Sequence, residues 1–302
     1  MMKRRHFLVS LGLASTVGLP WTVQKLFESA NNSFSEVKIE SQDRNQYGHI
    51  VDGMVVKKDR LDQNIKDQMY RVAHFDEDFA EDIFLADEDM AVLTLTVSRM
   101  RKLQELVGHG NFCMLGFDEM LHHARNYSTV EAFSKAEQDF LERIYFQDAK
   151  EYGFMGKKLI SSLTMTINKA EGVKISGSGN FLFKGKPLET YNRLKKDIGG
   201  KLILTSGIRS TVKQMYLFLA KAEESKGNLS KASRSLAPPG HSYHALGDFD
   251  VGNINMGEMN FTAAFSKTKE FEQLVKLGYI SIRYTRDNTI GVRYEPWHIK
   301  VV

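Results

Sequence analysis

The chain has 302 residues, of which 42% are hydrophobic and 26% are charged, and its formal net charge is +4. This composition is typical of a globular chain with one large or two ordinary domains, and it excludes a disordered or fibrous protein. The net charge is small for this length and forms no long basic run, so nothing in the sequence indicates nucleic-acid binding. The single cysteine, Cys113, excludes an intrachain disulfide, and its apolar neighbours predict a buried, unreactive thiol.

The N-terminus has the pattern of an export signal. The basic residues 3–8, KRRHFL, precede a short apolar run over residues 9–19. A basic start before such a run is typical of a secretory signal, and adjacent arginines followed by x-Phe-Leu resemble the twin-arginine type, which exports folded proteins. No clear A-x-A cleavage site follows, so retention of residues 1–30 as a membrane anchor stays open. The sequence predicts an exported, periplasmic protein, either released or membrane-anchored.

Two polar stretches follow the signal. Residues 31–59 lack firm periodicity, which predicts a linker. Residues 76–89 carry a dense run of aspartate and glutamate without the central glycine that a calcium loop needs. This acidic run therefore predicts a solvated surface rather than a calcium site.

The middle of the chain, residues 60–190, is predicted to be mainly helical. Apolar residues recur at helical spacing over residues 91–107 and again over residues 133–144. Residues 128–131, STVE, form a capping-box pattern before the second of these stripes. Both stripes are typical of core-facing helices rather than of a cofactor site. We call residues 60–190 the helical region.

Beyond residue 190 the signals for helix and strand are mixed. Residues 201–205 have the length and composition of a strand, and Ser210 or Thr211 is placed to cap the next helix. A further helix is expected to end near Leu277. Short strands are expected at residues 280–284 and 291–294. The mixture predicts an α+β catalytic domain at residues 191–302, built on a small mixed or antiparallel sheet.

Two motifs in this last part contain the residue types of a hydrolytic zinc site. The first is APPGHSYHALGDFD, and the second, further along the chain, is EPWH. Zinc binds imidazole nitrogen and carboxylate oxygen, so His244 and His298 are candidate nitrogen ligands, and Asp248 or Asp250 is the candidate oxygen ligand. In an extended segment the two aspartates point to the same side, so periodicity does not choose between them.

Glu295 is the leading candidate for a general base because it lies three residues before His298. In a straight strand positions three apart face opposite sides, so these two residues can meet only if the chain turns or bulges between them. Pro296 is compatible with such a turn. A single histidine is more often a hydrogen-bonded structural group, and EPWH alone is compatible with a turn that buries Trp297. The joint occurrence of both motifs, with a nearby carboxylate and an export signal, favours a zinc site.

These motifs resemble a known family. The pattern Ala-Pro-Pro-Gly-x-Ser-x-His-x-x-Gly, followed by an aspartate and later by EPWH, is similar to the VanY-like D-alanyl-D-alanine carboxypeptidases of the zinc LAS peptidase group. Residues 206–210, SGIRS, with Gln214 on the next helix, are similar to the family's Ser-Gly-Tyr-Arg-Ser segment. The resemblance covers roughly the last hundred residues, the length of a single domain, and leaves the helical region outside it.

The resemblance implies a function and a role for each matching residue. The implied activity is that of a zinc-dependent D,D-carboxypeptidase, which removes the terminal D-alanine from peptidoglycan stem peptides. The implied zinc ligands are His244, Asp250 and His298, the implied general base is Glu295, and the implied substrate-binding residues are Arg209, Ser242 and Gln214. Arg209 suits a terminal carboxylate because its planar fork donates two charge-assisted hydrogen bonds.

One departure from the family pattern affects the choice of aspartate. The family places its aspartate seven residues after the histidine, whereas here Asp250 is six and Asp248 is four residues after His244. Val251 resembles the apolar residue that follows the family aspartate, which favours Asp250. Two other functions stay open: a zinc endopeptidase that cuts within peptidoglycan peptides, with a site open on the side of Arg209, and a non-catalytic wall-binding homologue.

Overall fold

The computed structural model describes residues 52–278 and 281–302, with side chains from residue 63 onward. The predicted signal or anchor, and the linker up to residue 51, lie outside the described residues. Helix α1, Asp52–Ala73, begins within the segment that the sequence assigns to the linker. None of the helices in the described ranges is long and apolar enough to cross a membrane.

The helical region contains, after α1, four helices that pack around one apolar core. They are α2 (Asp87–Val107), α3 (His109–Phe112), α4 (Phe117–Asn126) and α5 (Lys135–Phe146), followed by 3-10 turns at Ala149–Tyr152 and Lys169–Glu171. The predicted stripe of α2 is confirmed, since Leu93, Val97 and Met100 are completely buried. The same core takes Met215 and Phe218 from beyond residue 190. The division between the helical region and a catalytic domain stays a prediction, since residues 56–302 form one compact unit.

The capping box predicted at residues 128–131 is wrong, because the helix begins later. Ser134 caps α5: its hydroxyl accepts from the Glu137 amide at 3.2 Å, and the Glu137 carboxylate accepts from the Ser134 amide at 2.8 Å. Glu131 has a φ of 68°, in the left-handed region, so the chain turns there instead of entering a helix. The same sequence pattern occurs twice within a few residues, and only the second copy directly precedes the apolar stripe.

The remaining residues form helices and two small antiparallel sheets. The strands are β1 (Gly172–Lys174), β2 (Phe181–Phe183), β3 (Leu202–Ser206), β4 (Phe249–Asn253), β5 (Ser281–Ile282) and β6 (His298–Lys300). The helices are α6 (Lys186–Ile198), α7 (Thr211–Glu224), α8 (Leu229–Ser235) and α9 (Lys269–Lys276), with 3-10 turns at Tyr243–Ala245, Gly257–Phe261 and Ala263–Lys267. Strands β1 and β2 pair as a hairpin, and the second sheet has the order β3-β4-β6-β5. The α+β prediction is confirmed.

The strand predicted at residues 291–294 is wrong. Gly291 has a φ of 99°, and a Cβ at this position would lie 2.5 Å from the Gly153 carbonyl oxygen. The segment therefore lies against the turn at Ala149–Tyr152 and forms no ladder. The last strand of the sheet is β6, which the sequence does not mark, because its three residues follow the EPWH turn directly.

One residue of the acidic run is not solvated. Asp82 is buried, and its carboxylate accepts from the two terminal nitrogens of Arg234 at 2.6 and 2.9 Å and from the Asn228 amide at 2.8 Å. Burial raises the pKa of Asp82, but these hydrogen bonds outweigh it and hold the pKa below its usual value. The expectation of a solvated surface is therefore wrong for Asp82, which anchors the acidic run to α8.

Candidate metal centre and cleft

The second sheet brings two candidate zinc ligands face to face. Asp250 on β4 and His298 on β6 are directly paired across the antiparallel ladder, so their side chains share one face. His244 reaches the same place from the 3-10 turn before β4. One ligand atom from each of these three residues lies within 4.8 Å of the other two, and all three residues are buried. We call His244, Asp250 and His298 the metal cluster.

The inner carboxylate oxygen of the metal cluster has no hydrogen bond. Asp250 Oδ1 lies 3.3 Å from His244 Nε2 and 3.2 Å from His298 Nδ1, yet it is buried without a hydrogen-bond partner. Burial raises the pKa of Asp250, but the two histidines outweigh it and hold the pKa far below its usual value. An ionised, orphaned oxygen that faces two imidazole nitrogens fits a small cation held by all three groups.

His244 is held in the tautomer that a metal needs. Its Nδ1 donates to the carbonyl oxygen of Gly207 at 2.8 Å, which leaves the Nε2 lone pair facing Asp250. Burial lowers the pKa of His244, so the ring is neutral at neutral pH. Gly207 has no room for a side chain, because a Cβ there would lie 2.0 Å from the Phe181 carbonyl oxygen.

The structure separates the roles of the two aspartates. Asp248 Oδ2 lies 3.2 Å from His298 Nε2, on the opposite side of the ring from Asp250, and Arg283 donates to the same oxygen. Asp248 Oδ1 accepts from the Val301 and Val302 amides at 2.8 and 3.1 Å. Burial raises the pKa of Asp248, but its hydrogen bonds, first that from His298, lower the pKa to about 2.

Asp248 is therefore placed to position a candidate ligand from behind. A carboxylate that accepts from His298 Nε2 fixes the ring so that Nδ1 faces Asp250. Burial lowers the pKa of His298, but three nearby carboxylates, those of Asp248, Asp250 and Glu295, favour the protonated ring and raise its pKa well above the usual value. Protonation of Nδ1 and metal binding are mutually exclusive, so a bound metal must displace that proton. The geometry favours Asp250 over Asp248 as the candidate oxygen ligand, because Asp250 belongs to the metal cluster and Asp248 lies behind the His298 ring.

Glu295 lies beside the metal cluster at the cleft. Its Oε2 is 3.5 Å from His298 Nδ1, and the residue is 8% exposed. The His298 amide donates to the Glu295 carbonyl at 3.2 Å, so the chain turns between them. The turn that the sequence required is therefore present. A carboxylate next to the ligands but open to the cleft is placed to exchange protons with a water molecule there.

Arg209 also lines the cleft and contacts the metal cluster. Its guanidinium donates to Asp250 Oδ2 at 3.2 Å, to Ser206 Oγ at 2.9 Å and to Gln214 Oε1 at 3.1 Å. Gln214 is 1% exposed and donates to the Ala237 carbonyl. Gln214 therefore holds Arg209 from behind, and its direct contact with a substrate stays a prediction.

Ser242 does not line the cleft. It is buried, and its hydroxyl accepts from the His244 amide at 3.4 Å, at the start of the turn that carries His244. The structure thus places Ser242 as support for a candidate ligand, and its contact with a substrate carboxylate stays a prediction.

The cleft has a volume of about 310 Å³ and includes residues that sequence reasoning missed. Among them are His109, Lys213, Arg293 and Trp297. Cys113 also lines the cleft, but burial raises the pKa of its thiol, as expected of an unreactive cysteine. No local pattern marks His109 or Lys213, because each reaches the cleft only through packing between the helical region and α7.

Residues 186–302 match the model of the VanY family, D-alanyl-D-alanine carboxypeptidase, so the predicted resemblance is confirmed over this segment. No curated protein matches the chain. Solved structures that are similar to part of it include the following three. The LD-carboxypeptidase LdcB is 26% identical with a TM-score of 0.35, over 43% of this chain and 63% of that one, which is less than two thirds of its length. A mutant of the vancomycin-resistance D,D-pentapeptidase VanY, in complex with Zn(II), is 25% identical with a TM-score of 0.33. The similarity covers 44% of this chain and 78% of that one. VanYB in complex with D-alanine-D-alanine is 25% identical with a TM-score of 0.33, and the similarity covers 44% of this chain and 77% of that one.

Proposed function

We propose that this chain is a zinc-dependent D,D-carboxypeptidase that removes the terminal D-alanine from peptidoglycan stem peptides. The observation that carries the proposal is the buried metal cluster with Glu295 beside it, inside the segment that matches the VanY family. Two imidazoles and one carboxylate are a donor set of catalytic zinc sites, which keep one coordination position open. His244, Asp250 and His298 would hold the ion.

The proposed reaction adds water to a peptide carbonyl, breaks the C–N bond and releases the amine with a proton. When bound, zinc supplies Lewis acidity toward the attacking water and the scissile carbonyl. Glu295 takes a proton from that water and passes it to the departing D-alanine amine. Arg209, which lines the cleft, donates charge-assisted hydrogen bonds to the terminal carboxylate of the substrate. Asp248 keeps the His298 ring in orientation throughout.

The test is incubation of the zinc-loaded protein with a pentapeptide ending in D-Ala-D-Ala. We expect release of free D-alanine, measured by mass spectrometry, and loss of release after the metal is removed with a chelator. The protein re-loaded with zinc is the matched control. Cleavage at an internal bond would establish the endopeptidase alternative, and zinc binding without hydrolysis of any peptidoglycan peptide would contradict an enzymatic role.

We also propose that the chain is exported to the periplasm, on the strength of its N-terminal sequence. Replacing Arg4 and Arg5 by lysine should leave the protein in the cytoplasm, because the paired arginines are the feature that twin-arginine export requires. Cell fractionation measures this, and Lys3→Gln, which keeps the pair, is the control. Unchanged export of the double lysine variant would contradict the proposal. The mass of the exported protein distinguishes a cleaved signal from a retained membrane anchor.

A further inference from the structure

A buried lysine lines the cleft without an anionic partner. Lys213 is 6% exposed, and its ammonium group donates to Gln104 Oε1 on α2. The nitrogen lies 5.1 Å from the ring centre of Tyr216 and 5.7 Å from that of Phe112. Among the residues that the structure describes, no carboxylate forms an ion pair with this group. The charge is therefore stabilised only by a neutral amide and two aromatic faces.

The position of this lysine is unfavourable for a structural residue. Burial of an ammonium group without a counter-ion costs free energy. Lys213 also lies in the first turn of α7, where the helix dipole disfavours a cation, and that turn has no acidic residue. Burial lowers the pKa of Lys213 to about 8, so the side chain is still mostly protonated at neutral pH. An anion from outside the chain would offset all of these costs.

The surroundings of Lys213 suit a small anionic group. The cleft also contains Thr205, whose hydroxyl is buried without a hydrogen-bond partner. Arg209, the other cation on this side, forms an ion pair with Asp250 and hydrogen bonds with Ser206 and Gln214, whereas Lys213 has no anionic partner among the described residues. Lys213 is thus a separate cationic group, and the amide that holds it comes from the helical region, outside the family match.

We propose that Lys213 binds a carboxylate group of the peptide in the cleft, so that the wall shared with the helical region selects acidic peptides. The inference rests on the proposed function, because it names a substrate class for the same cleft. A pentapeptide that contains glutamate and ends in D-Ala-D-Ala offers at least two carboxylates: one at its C-terminus and one on the glutamate. A carboxylate is the fitting partner because it accepts from both the lysine ammonium and a hydroxyl.

Binding measured without turnover tests this inference. The zinc-loaded Glu295→Gln protein is titrated calorimetrically with three forms of a pentapeptide ending in D-Ala-D-Ala: with a free glutamate carboxylate, with that carboxylate amidated, and with a C-terminal carboxamide. Adding Lys213→Met should raise the Kd for the first peptide about tenfold to a hundredfold, the scale of one charged hydrogen bond. If amidation of the glutamate removes the effect, the side chain is the ligand; if the C-terminal carboxamide removes it, the terminus is the ligand. An equal Kd with and without Lys213→Met, or an equal loss on all three peptides, overturns the proposal.

Further variants separate binding from folding. Lys213→Arg keeps the charge and should retain most of the preference for acidic peptides. Gln104→Glu leaves the lysine in place but gives it an internal carboxylate, so it should also weaken binding of the acidic peptide; an unchanged Kd would count against the proposal. Lys221→Met on the same helix is the matched control, because Lys221 pairs with Glu224 at 2.8 Å and lies outside the cleft.

The two proposals can fail separately. If wild-type protein hydrolyses none of the peptides but the Lys213-dependent binding persists, the carboxypeptidase function is rejected and the carboxylate site stands. If hydrolysis occurs and Lys213→Met binds every peptide as its parent does, the function stands and the carboxylate site is rejected.

Discussion

Replacing Glu295 by alanine should lower kcat for peptide hydrolysis by about 10²- to 10⁴-fold, the usual contribution of a general base. The carboxylate is 3.5 Å from His298 Nδ1 and lines the cleft, but it is not a member of the metal cluster. The variant should therefore keep its zinc. Released D-alanine measures the rate, and atomic emission measures the metal content of the same sample.

Glu295→Gln gives the sharper form of this test, because it keeps the size and shape of the side chain and removes its charge and basicity. We expect the same loss of kcat as for alanine. Glu272→Gln, at an exposed position on α9, is the control for loss of one negative charge. A wild-type rate in Glu295→Gln would refute the proton-transfer role, and loss of zinc together with activity would make Glu295 a ligand instead.

The second large effect is a contrast between two aspartates that are only two residues apart. Asp250→Asn removes the anionic oxygen that faces both histidines, so zinc affinity should fall by more than about a hundredfold. Asp248→Asn removes the negative charge behind His298 and leaves all three candidate ligands in place. Its effect should be about 10- to 100-fold on metal affinity or activity, the range for a partner that orients a ligand.

Competition with a zinc chelator measures both affinities. At saturating zinc the Asp248→Asn protein should still bind one ion, and the Asp250→Asn protein should not. Asp287→Asn, at an exposed position, controls for loss of a carboxylate elsewhere. A larger loss of zinc affinity in Asp248→Asn than in Asp250→Asn would reverse the assignment that the geometry supports.

Local physical chemistry accounts for the elements that the sequence predicted correctly. The α2 stripe follows from 3.6-residue periodicity, and the cap at Ser210 follows from a hydroxyl that accepts from the Lys213 amide at 3.2 Å. The turn at EPWH is predicted because Glu295 and His298, three positions apart, can face one site only if the chain turns between them. Each of these features depends only on residues close in sequence, so the pattern contains the information.

The errors arise where distant contacts decide the structure. The strand expected at residues 291–294 is absent because Gly291 packs against the Gly153 carbonyl. The residues around position 291 do not indicate that contact. The alternation of side chains along a strand does not apply to Asp248, because this residue precedes β4 and its carboxylate is held by amides at the far end of β6. Lys213 donates a hydrogen bond to Gln104, which lies 109 residues away in the sequence, and hydrophobic periodicity does not predict a contact between residues so far apart.

The tight approach at Gly207 connects the family-matched segment to the hairpin that precedes it. The carbonyl that fixes the His244 ring belongs to a residue pressed against Phe181, and the next amide, of Ile208, donates to the same Phe181 carbonyl at 2.7 Å. Phe181 lies on the β1–β2 hairpin, before the match begins at residue 186. A fragment trimmed to residues 186–302 would keep every candidate ligand and lose the backbone that aims one of them. The hairpin thus supports the backbone that orients the His244 ring, so a shortened protein that is meant to keep the metal centre has to include the hairpin.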